Sequence, residues 1–540
     1  MNSNKHNIIT LHISRMVKED NDMLRKFWEI ETDSYTKKKL FTKEEEKCEE
    51  LYKNTTRRDA NGKYIVHLPL RKSIEETVNL CGDTKQQAIR RFNYLERKLA
   101  KTEELKKEYT KVIHEYKEMG HMKKAETIDD KNSIYLPHHA VIREDKETTK
   151  VRVVYDASAK GSNGYSLNDC MMVGPVLQTD LRSLITAWRT HKICVVGDIV
   201  KMYRMVYMTN EHTNLQRIVW RDNPDEEIES YNLTTVTFGT AAAPYLAVRT
   251  LHQLADDEAM EYPDTAPLIK TSFYMDDLMV GDDNVEKTKK MCNEIRTILK
   301  KGGFEMQKWS SNCDEVLEYL QEKKTKNTVE IKLNTIIKIL GLTWDRKEDE
   351  FKITVNLPEM RYPITKRSIL SDVARLFDPF GWLSPVVIRA KILIQKLWLC
   401  NLGWDDELPC NFCEEWINYR EGLIHLQDIK IPRWFKTTSE NYNNVTLHGF
   451  ADASTQAYAA VIYLRIVEGE EVHVIMIASR TKVAPLKQLS VPRLELCAAL
   501  LLVELISDVM EILKISKDKI FAWTDSMVVL SWLQSQPNRW

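Results

Sequence analysis

The sequence predicts a multidomain protein of mixed α and β structure, in which strands and helices alternate through the middle of the chain. The chain has 540 residues, 43% of them hydrophobic and 9% aromatic, which is enough for roughly three or four domains with cores of their own. Short apolar runs alternate with segments of helical period. Two separate sets of acidic residues also follow strand-like runs. These three observations carry the prediction.

Residues 1–134 are predicted to be a charged, mainly helical lead-in segment. Residues 86–121 have apolar side chains at helical spacing and predict one or two long helices. The run GKYIVHLPL follows the turn signal Asn61-Gly62 and predicts one strand. We assign no chemistry to this segment.

The central region contains the first acid set. Tyr274-Met275-Asp276-Asp277 lies in SFYMDDLMVGDD, where β-prone residues on both sides predict a hairpin with acid at its tip. Because successive strand residues point to opposite faces, we expect Asp276 to face a partner and Asp277 to turn away or cap the turn. Upstream, the strand-like run in KICVVGDIVKMY delivers Asp198 at its end. Strand-end acids brought side by side suit paired Mg²⁺ ions, which clamp both oxygens of a phosphoryl displacement.

Two consecutive aspartates are often only a polar turn, so their surroundings matter. The loop FGTAAAP, hinged at Gly239, is followed by a helical pattern and suits a surface that meets a flat base pair. Tyr203 stands five residues after Asp198, close enough to stack beneath a sugar and exclude a 2′-hydroxyl. The strand-like run TTKVRVVYDASAKG presents Lys150 and Arg152 on one face, where they suit a triphosphate.

This order of basic strand, acid, glycine loop and acid pair resembles the reverse transcriptases. The motifs VRVVYDASAK, GDIVKMY, FGTAAAPYLA, FYMDDLMVG, GGFEMQKWSSN and KILGLTWD are similar to the Pao/BEL group of long-terminal-repeat retrotransposons, over most of the chain. The resemblance implies an RNA-directed DNA polymerase with a right-hand fold. Fingers and palm would occupy residues 135–345, and a helical thumb or connection residues 346–440.

The resemblance also implies roles for single residues. Asp198, Asp276 and Asp277 would be the metal-binding carboxylates, Tyr203 the sugar gate, Arg152 the triphosphate contact and Lys308 a contact near the pyrophosphate, with Lys150, Gly239 and Met275 completing the nucleotide site. Leu340-Gly341 would belong to the turn that grips the primer. One departure is that Thr240 and three alanines follow Gly239, whereas many polymerases of this class place a glutamine beside the glycine.

The second acid set lies in residues 441–540. A strand ends in Asp452, two strands joined by a glycine-containing turn follow, then a helix with Glu495 near its start and a strand that ends in Asp525. This order resembles the ribonuclease H fold, in which the three acids would converge on two metal ions. The fold's fourth acid comes later than Trp540. We therefore expect a C-terminally incomplete ribonuclease H-like domain.

As cofactors, the resemblance implies Mg²⁺ or Mn²⁺, two ions in each active site. The implied partners are an RNA template, a DNA primer, an RNA–DNA hybrid and deoxynucleoside triphosphates. The formal net charge is −1, so any electropositive path for nucleic acid must be local, and thumb residues such as Lys366, Arg367 and Lys396 are candidate phosphate contacts. No secretory signal or membrane-spanning run is visible. We expect an intracellular, cytoplasmic location in a retroelement particle, with the nucleus as an alternative.

Two other functions stay open at this point. The chain could be a catalytically retired retroelement fragment that only binds nucleic acid or a partner. It could also have aspartic peptidase chemistry, since Asp452-Ala453-Ser454 faintly resembles an Asp-Thr/Ser-Gly loop, although the glycine is missing.

Overall fold

The computed structural model describes residues 40–125, 132–142, 151–322, 336–339, 342–400 and 402–536. Two sequence predictions, Lys150 as a triphosphate contact and Leu340-Gly341 as a primer turn, fall outside these residues.

The part of the lead-in segment that the structure describes at residues 40–125 is mainly helical. It contains helices α1 Lys43–Thr55, α2 Ile74–Cys81, α3 Lys85–Leu99 and α4 Glu103–Glu118, and the short strands β1 Arg57–Arg58, β2 Tyr64–Val66 and β3 Met122–Lys124. Capping boxes at Thr42 and Ser73 satisfy the first free N–H groups of α1 and α2. The long helical pattern proves to be two helices, because the backbone becomes extended at Thr102.

The central region alternates strands and helices. In chain order these are β4 His138–Ile142, β5 Val151–Tyr155, α5 Leu181–Trp188, β6 Ile193–Ile199, β7 Tyr207–Met208, α6 Asn210–Thr213, β8 Arg217–Trp220, β9 Glu229–Leu233, α7 Ala243–Asp257, α8 Ala266–Thr271, β10 Phe273–Tyr274, β11 Asp277–Asp282, α9 Val285–Lys301, β12 Met306–Ser311 and α10 Asp314–Glu322. Four of the strands form one antiparallel sheet in the order β10-β11-β6-β12.

Strand β6 is buried on both faces, which explains its continuous apolar run. Val195 and Ile199 pack into a core shared with the lead-in helices, whereas Cys194 and Val196 pack into a second core on the opposite face. The lead-in segment and the central region therefore share one hydrophobic core. Tyr109 of α4 and His138 of β4, joined by a 2.5 Å hydrogen bond, lie within it.

The next region combines a small sheet with three helices. These elements are β13 Ile336–Ile339, β14 Leu342–Asp345, β15 Glu350–Lys352, α11 Lys366–Val373, α12 Ser384–Leu399, α13 Cys410–Gly422 and β16 Lys430–Pro432, and the sheet order is β13-β14-β15-β16. A turn at residues 378–381 separates α11 from α12, and the Asp378 carboxylate accepts hydrogen bonds from the N–H groups of Trp382 and Leu383. Helix α13 was not predicted from the sequence, and its only buried side chain is that of Trp416.

The C-terminal region has the predicted order of elements. It contains β17 Val445–Ala453, β18 Ala457–Glu468, β19 Glu471–Val483, α14 Val491–Leu513, β20 Ile520–Trp523 and α15 Met527–Gln534, with sheet order β19-β18-β17-β20. Strands β17, β18 and β19 pair antiparallel, and β20 pairs with β17 in parallel. Helix α14 is the crossover that a parallel pair requires.

A buried arginine ties the central region to the sheet that precedes the C-terminal region. Arg433, with no exposed surface, donates to both carboxylate oxygens of Asp349 at 2.6 and 2.7 Å. It also donates to the carbonyl oxygens of Trp188, His191 and Lys192, between α5 and β6. The second hydrophobic core surrounds this contact and continues into the C-terminal sheet.

Within the described residues, none of the helices combines the length and the apolar character that crossing a bilayer requires.

Candidate active site

The sheet brings the first acid set together. Strand β11 pairs antiparallel with β6, so that Asp277 lies directly opposite Asp198 and Leu278 opposite Gly197. The carbonyl oxygen of Asp276 accepts a 2.8 Å hydrogen bond from the N–H of Ile199. Three aspartates, separated by nearly 80 residues of sequence, therefore meet at one end of the palm-like sheet.

The hairpin turn consists of Met275 and Asp276 alone, since Tyr274 pairs with Asp277. Met275 has a φ of 55°, in the left-handed region, which costs a non-glycine residue roughly 1–2 kcal/mol. The side chain of Gln178 supports the turn. Its Nε2 donates to the carbonyl of Phe273 at 2.9 Å, and its Oε1 accepts from the N–H of Met275 at 3.0 Å.

The structure of this turn differs from the prediction for Asp277. Asp277 was expected to turn away or cap the turn, but the turn is too short for that, and Asp277 begins the strand that pairs with Asp198. Residues directly opposite each other on antiparallel strands project from the same face of the sheet. Asp277 therefore shares a face with Asp198, and Asp276 lies at the tip.

The electrostatics of this end of the sheet favour a bound cation. The pKa of the Asp276 carboxyl is raised, first because surrounding protein disfavours its charge and second because of the Asp198 carboxylate, although Arg152 and Lys308 oppose the shift. Asp198 Oδ2 accepts hydrogen bonds from Gln307 Nε2 at 2.8 Å and Lys308 Nζ at 3.1 Å. The Asp198 carboxylate is thus near enough to Asp276 to act on its pKa, and carboxylates are oxygen ligands that divalent metals prefer. The ligand atoms of all three aspartates do not, however, lie within 4.8 Å of one another as those of the C-terminal acids do.

Lys308 reaches Asp198 because β12 is irregular at this point. The pairing of β12 with β6 shifts register between Gln307 and Ser310, and Lys308 has a φ of 53°. The sequence prediction assigned Lys308 to a pyrophosphate. The structure places its ammonium group beside the acid set, 3.1 Å from Asp198 Oδ2.

An aromatic pair lies next to the acids. The ring centroids of Tyr203 and Phe238 are 4.6 Å apart. The Arg152 guanidinium lies over the Phe238 ring, 5.3 Å from its centroid. Burial and the nearby Asp276 carboxylate raise the pKa of Tyr203 to about 12, so its hydroxyl stays protonated at neutral pH. Phe238 thus joins two predicted nucleotide contacts. The sequence analysis missed it, and its position beside Gly239 was the available signal.

The glycine loop is held by an asparagine that the sequence analysis also missed. Asn168 Nδ2 donates to the carbonyl of Gly239 at 3.0 Å, and its Oδ1 accepts from the N–H of Ala241 at 2.8 Å. Gly239 itself has a φ of 104°, and a Cβ at this position would lie 1.8 Å from the carbonyl oxygen of Tyr155. Only glycine fits this close approach.

The second acid set also converges. Carboxylate oxygens of Asp452 on β17, Glu495 on α14 and Asp525 just after β20 all lie within 4.8 Å of one another. Glu495 is 7% exposed, and its Oε2 has no hydrogen-bond partner. Its pKa is raised by burial, by Asp452 and by Asp525. A buried, unpartnered carboxylate oxygen facing two further acids fits a divalent cation.

The predicted thumb cations are engaged elsewhere. Lys366 is buried, and its Nζ donates to the carbonyl oxygens of Cys400 and Leu402, close to the C-terminal end of α12. Arg367 forms a bidentate pair with Asp405, and Lys396 pairs with Glu415. Lys366 therefore serves the fold rather than a phosphate contact, because its buried ammonium already donates to two carbonyl oxygens and lies over the Trp398 ring.

Comparison with known families agrees with this arrangement. Residues 145–328 match the reverse transcriptase (RNA-dependent DNA polymerase) family, a family that uses divalent metals. Residues 365–526 match the Pao retrotransposon-like RNaseH-like domain. No curated protein is significantly similar in sequence to the chain.

Two solved structures share the fold. Both are of a foamy viral protease-reverse transcriptase, one in complex with ds DNA at 15% identity and one in complex with RNA/DNA hybrid at 14% identity, each with a TM-score of 0.51. Each match covers 80% of this chain, but the chain spans only 65% and 50% of those proteins.

The fold is thus that of a reverse transcriptase domain followed by a ribonuclease H-like domain, and both domains match their families over the residues that carry the acids. A reverse transcriptase match followed by a Pao retrotransposon-like RNaseH-like match is the arrangement that fits a Pao/BEL-type retrotransposon protein.

Proposed function

We propose that the protein is an RNA-directed DNA polymerase that adds deoxynucleotides to a DNA primer on an RNA template. One observation carries the proposal: the register of β6 and β11 places Asp198 opposite Asp277, with Asp276 at the adjoining turn, inside a domain that matches the reverse transcriptase family. The fold shared with proteins solved on ds DNA and on RNA/DNA hybrid supports such substrates.

Different side chains would bind the metal ions and the triphosphate during nucleotide addition. Asp198, Asp276 and Asp277 would hold two Mg²⁺ or Mn²⁺ ions, which supply charge stabilisation at the oxygens of a phosphoryl transfer. Arg152, and Lys150 outside the described residues, would bind the triphosphate, with Lys308 near the departing pyrophosphate.

The shape of the nucleotide site would select deoxyribonucleotides over ribonucleotides. The ring of Tyr203, braced by Phe238, would lie beneath the sugar and exclude a 2′-hydroxyl. The backbone at Gly239, held by Asn168, and at Met275 would meet the base pair. This backbone contact would stand in for the glutamine side chain that related polymerases place beside the glycine.

The C-terminal acids support a second activity. We propose that Asp452, Glu495 and Asp525 hold divalent ions for cleavage of the RNA strand in an RNA–DNA hybrid. The unpartnered Glu495 Oε2 is the observation that favours this activity, because a buried carboxylate without a partner is costly unless a ligand completes it.

Primer extension tests the polymerase proposal. The purified chain is incubated with a labelled DNA primer annealed to RNA, the four deoxynucleoside triphosphates and Mg²⁺, or Mn²⁺ in parallel. We expect extension that requires the template and stops when EDTA removes the metal. No extension with either ion would favour the alternative of a binding-only, retired fragment.

Hybrid cleavage tests the second activity separately. A labelled RNA strand annealed to DNA is incubated with the wild-type chain and with Glu495→Gln, which keeps the volume and removes the charge. We expect RNA shortening by the wild type only. Equal cleavage by both proteins would show that Glu495 has no part in the reaction.

A further inference from the structure

The segment that carries Tyr203 is held by the lead-in helix α4. Strand β6 ends at Ile199, and Met202–Met205 form a single 3₁₀ turn, here called the gate turn. Glu115 Oε1 of α4 binds Lys201 Nζ at 2.7 Å and Arg204 Nη1 at 2.5 Å. One carboxylate oxygen thus bridges the residues that flank Met202 and Tyr203.

Arg204 is fixed more firmly than a surface arginine would be. Its guanidinium lies 3.8 Å from the ring centroid of Tyr116, its Nε donates to His121 Nδ1 at 3.1 Å, and its side chain is only 7% exposed. Although partial burial opposes it, hydrogen bonds from Lys201 and Arg204 lower the pKa of the Glu115 carboxyl below its usual value. The bridge is therefore charged at neutral pH.

The gate turn needs such a support. Lys201, which precedes it, has a φ of 52°. A lysine in this left-handed region costs roughly 1–2 kcal/mol, so a free turn would relax to other conformations. Those conformations would move Tyr203 away from Phe238, because Tyr203 lies between Lys201 and Arg204 in the same turn.

We propose that Glu115 is a positioning residue of the nucleotide site: by bridging Lys201 and Arg204 it holds Tyr203 against Phe238 and thereby sets the discrimination between deoxyribonucleotides and ribonucleotides. The lead-in segment is then part of the selectivity apparatus rather than only a neighbour of the fingers. This inference rests on the proposed polymerase function.

The test compares nucleotide selectivity in Glu115→Gln and the wild type. Selectivity is the ratio of kcat/KM for a deoxynucleotide to kcat/KM for the matching ribonucleotide in single-nucleotide addition. Glutamine keeps the volume and loses both ion pairs. We expect the ratio to fall about tenfold, as a misplacement of the tyrosine ring would produce.

Two further variants separate positioning from stability. Glu118→Gln makes the same change at an exposed site of the same helix, and we expect it to keep the wild-type ratio. In a Tyr203→Val background, Glu115→Gln should have no further effect on the ratio, because the ring it positions is gone. If Glu115→Gln folds too poorly for kinetics, Lys201→Met removes the more exposed ion pair and should lower the ratio in the same direction.

The outcomes are distinct. An unchanged ratio in Glu115→Gln, or an equal loss with and without the Tyr203 ring, overturns the inference while leaving the polymerase function intact. Failure of the wild-type protein to extend any primer overturns the polymerase function, and this inference with it.

Discussion

Tyr203 is the residue whose surroundings bear most directly on nucleotide choice. Its ring contacts Phe238 on one side and lies near the Asp276 carboxylate, which contributes to its raised pKa. The sequence placed Tyr203 beside the acids through its distance from Asp198. The place of Phe238 beside Gly239 was a weak signal, but the contact itself was not predicted, since it joins residues 35 positions apart and depends on how the glycine loop folds back.

Removal of the Tyr203 ring should relax sugar selectivity. We expect Tyr203→Val to raise ribonucleotide incorporation about tenfold or more relative to deoxynucleotide incorporation, because the space for a 2′-hydroxyl opens. Single-nucleotide addition measures this ratio. Tyr165→Val, at an exposed loop site, is the control and should leave the ratio unchanged. Equal ratios in Tyr203→Val and the wild type would contradict the gate assignment.

A second prediction at the scale of one residue concerns Gly239. Gly239→Ala forces a Cβ into the carbonyl of Tyr155, in addition to the strain of a positive φ. We expect it to lower the free energy of unfolding by about 2–4 kcal/mol, measured by urea denaturation. Gly164→Ala is a matched control, because Gly164 has a φ of 82° but open space around its missing Cβ.

Gly164→Ala should cost only the backbone strain, roughly 1 kcal/mol. Equal losses in the two alanine variants would mean that the close approach to Tyr155 does not decide the choice of glycine.

Among the elements, the acid hairpin depends on a residue far from it in sequence. Its strands, β10 and β11, were predicted because the runs on both sides of the aspartates are apolar and β-prone. Gln178 was not predicted, although its amide binds backbone atoms on both sides of the strained Met275. A single glutamine in a loop gives no signal until the chain is folded.

Loss of the Gln178 amide should impair catalysis more than stability. We expect Gln178→Ala to lower kcat of primer extension about tenfold, because the aspartates lose their fixed positions. The melting temperature should change by only a few degrees, as expected for about 1 kcal/mol. Gln86→Ala, at an exposed site on α3, is the control. A wild-type kcat in Gln178→Ala would show that the turn at Met275 and Asp276 keeps its conformation without the Gln178 amide.

The remaining elements were predicted where their sequence pattern is strong and missed where it is weak. Strand β6 and the strands and helix of the C-terminal region were predicted, because their apolar runs are continuous and bounded by glycine or aspartate. Helix α13 was missed, since one buried tryptophan is too weak a periodic signal. Lys366 was only a candidate phosphate contact, and its hydrogen bonds to two carbonyl oxygens inside the fold could not be foreseen, because such a lysine looks in sequence like a surface cation.

For the whole molecule, Arg433 is the main polar contact between the central region and the sheet β13-β14-β15-β16 among the described residues. This arginine connects Asp349 with three carbonyl groups between α5 and β6, at sequence separations of more than 240 residues for the carbonyl groups. No local pattern could reveal it. This contact keeps the two acid sets in one body, since the second core around it continues into the C-terminal sheet.

Loss of the Arg433 contacts should lower the stability of the fold. We expect Arg433→Met to lower the free energy of unfolding by about 3–5 kcal/mol, because the partly buried Asp349 carboxylate loses its charged partner and keeps the neutral hydrogen bonds from Trp344 and Asn312. Lys430→Met, which removes the pair between the exposed Lys430 on β16 and Glu350 on the neighbouring β15, should cost at most about 1 kcal/mol. Denaturant unfolding of both variants measures the difference. Similar small losses would mean that the Arg433 contacts are not a main source of stability.

The central claim is that separated aspartates meet to bind the ions used for nucleotide addition, and Asp276→Asn tests it most directly. Asparagine keeps the volume but removes the carboxylate charge. We predict that Asp276→Asn abolishes single-nucleotide addition while binding the primer–template with unchanged affinity, and that Asp264→Asn, at an exposed loop site, retains the wild-type rate. Nucleotide addition by Asp276→Asn at the wild-type rate would contradict the account.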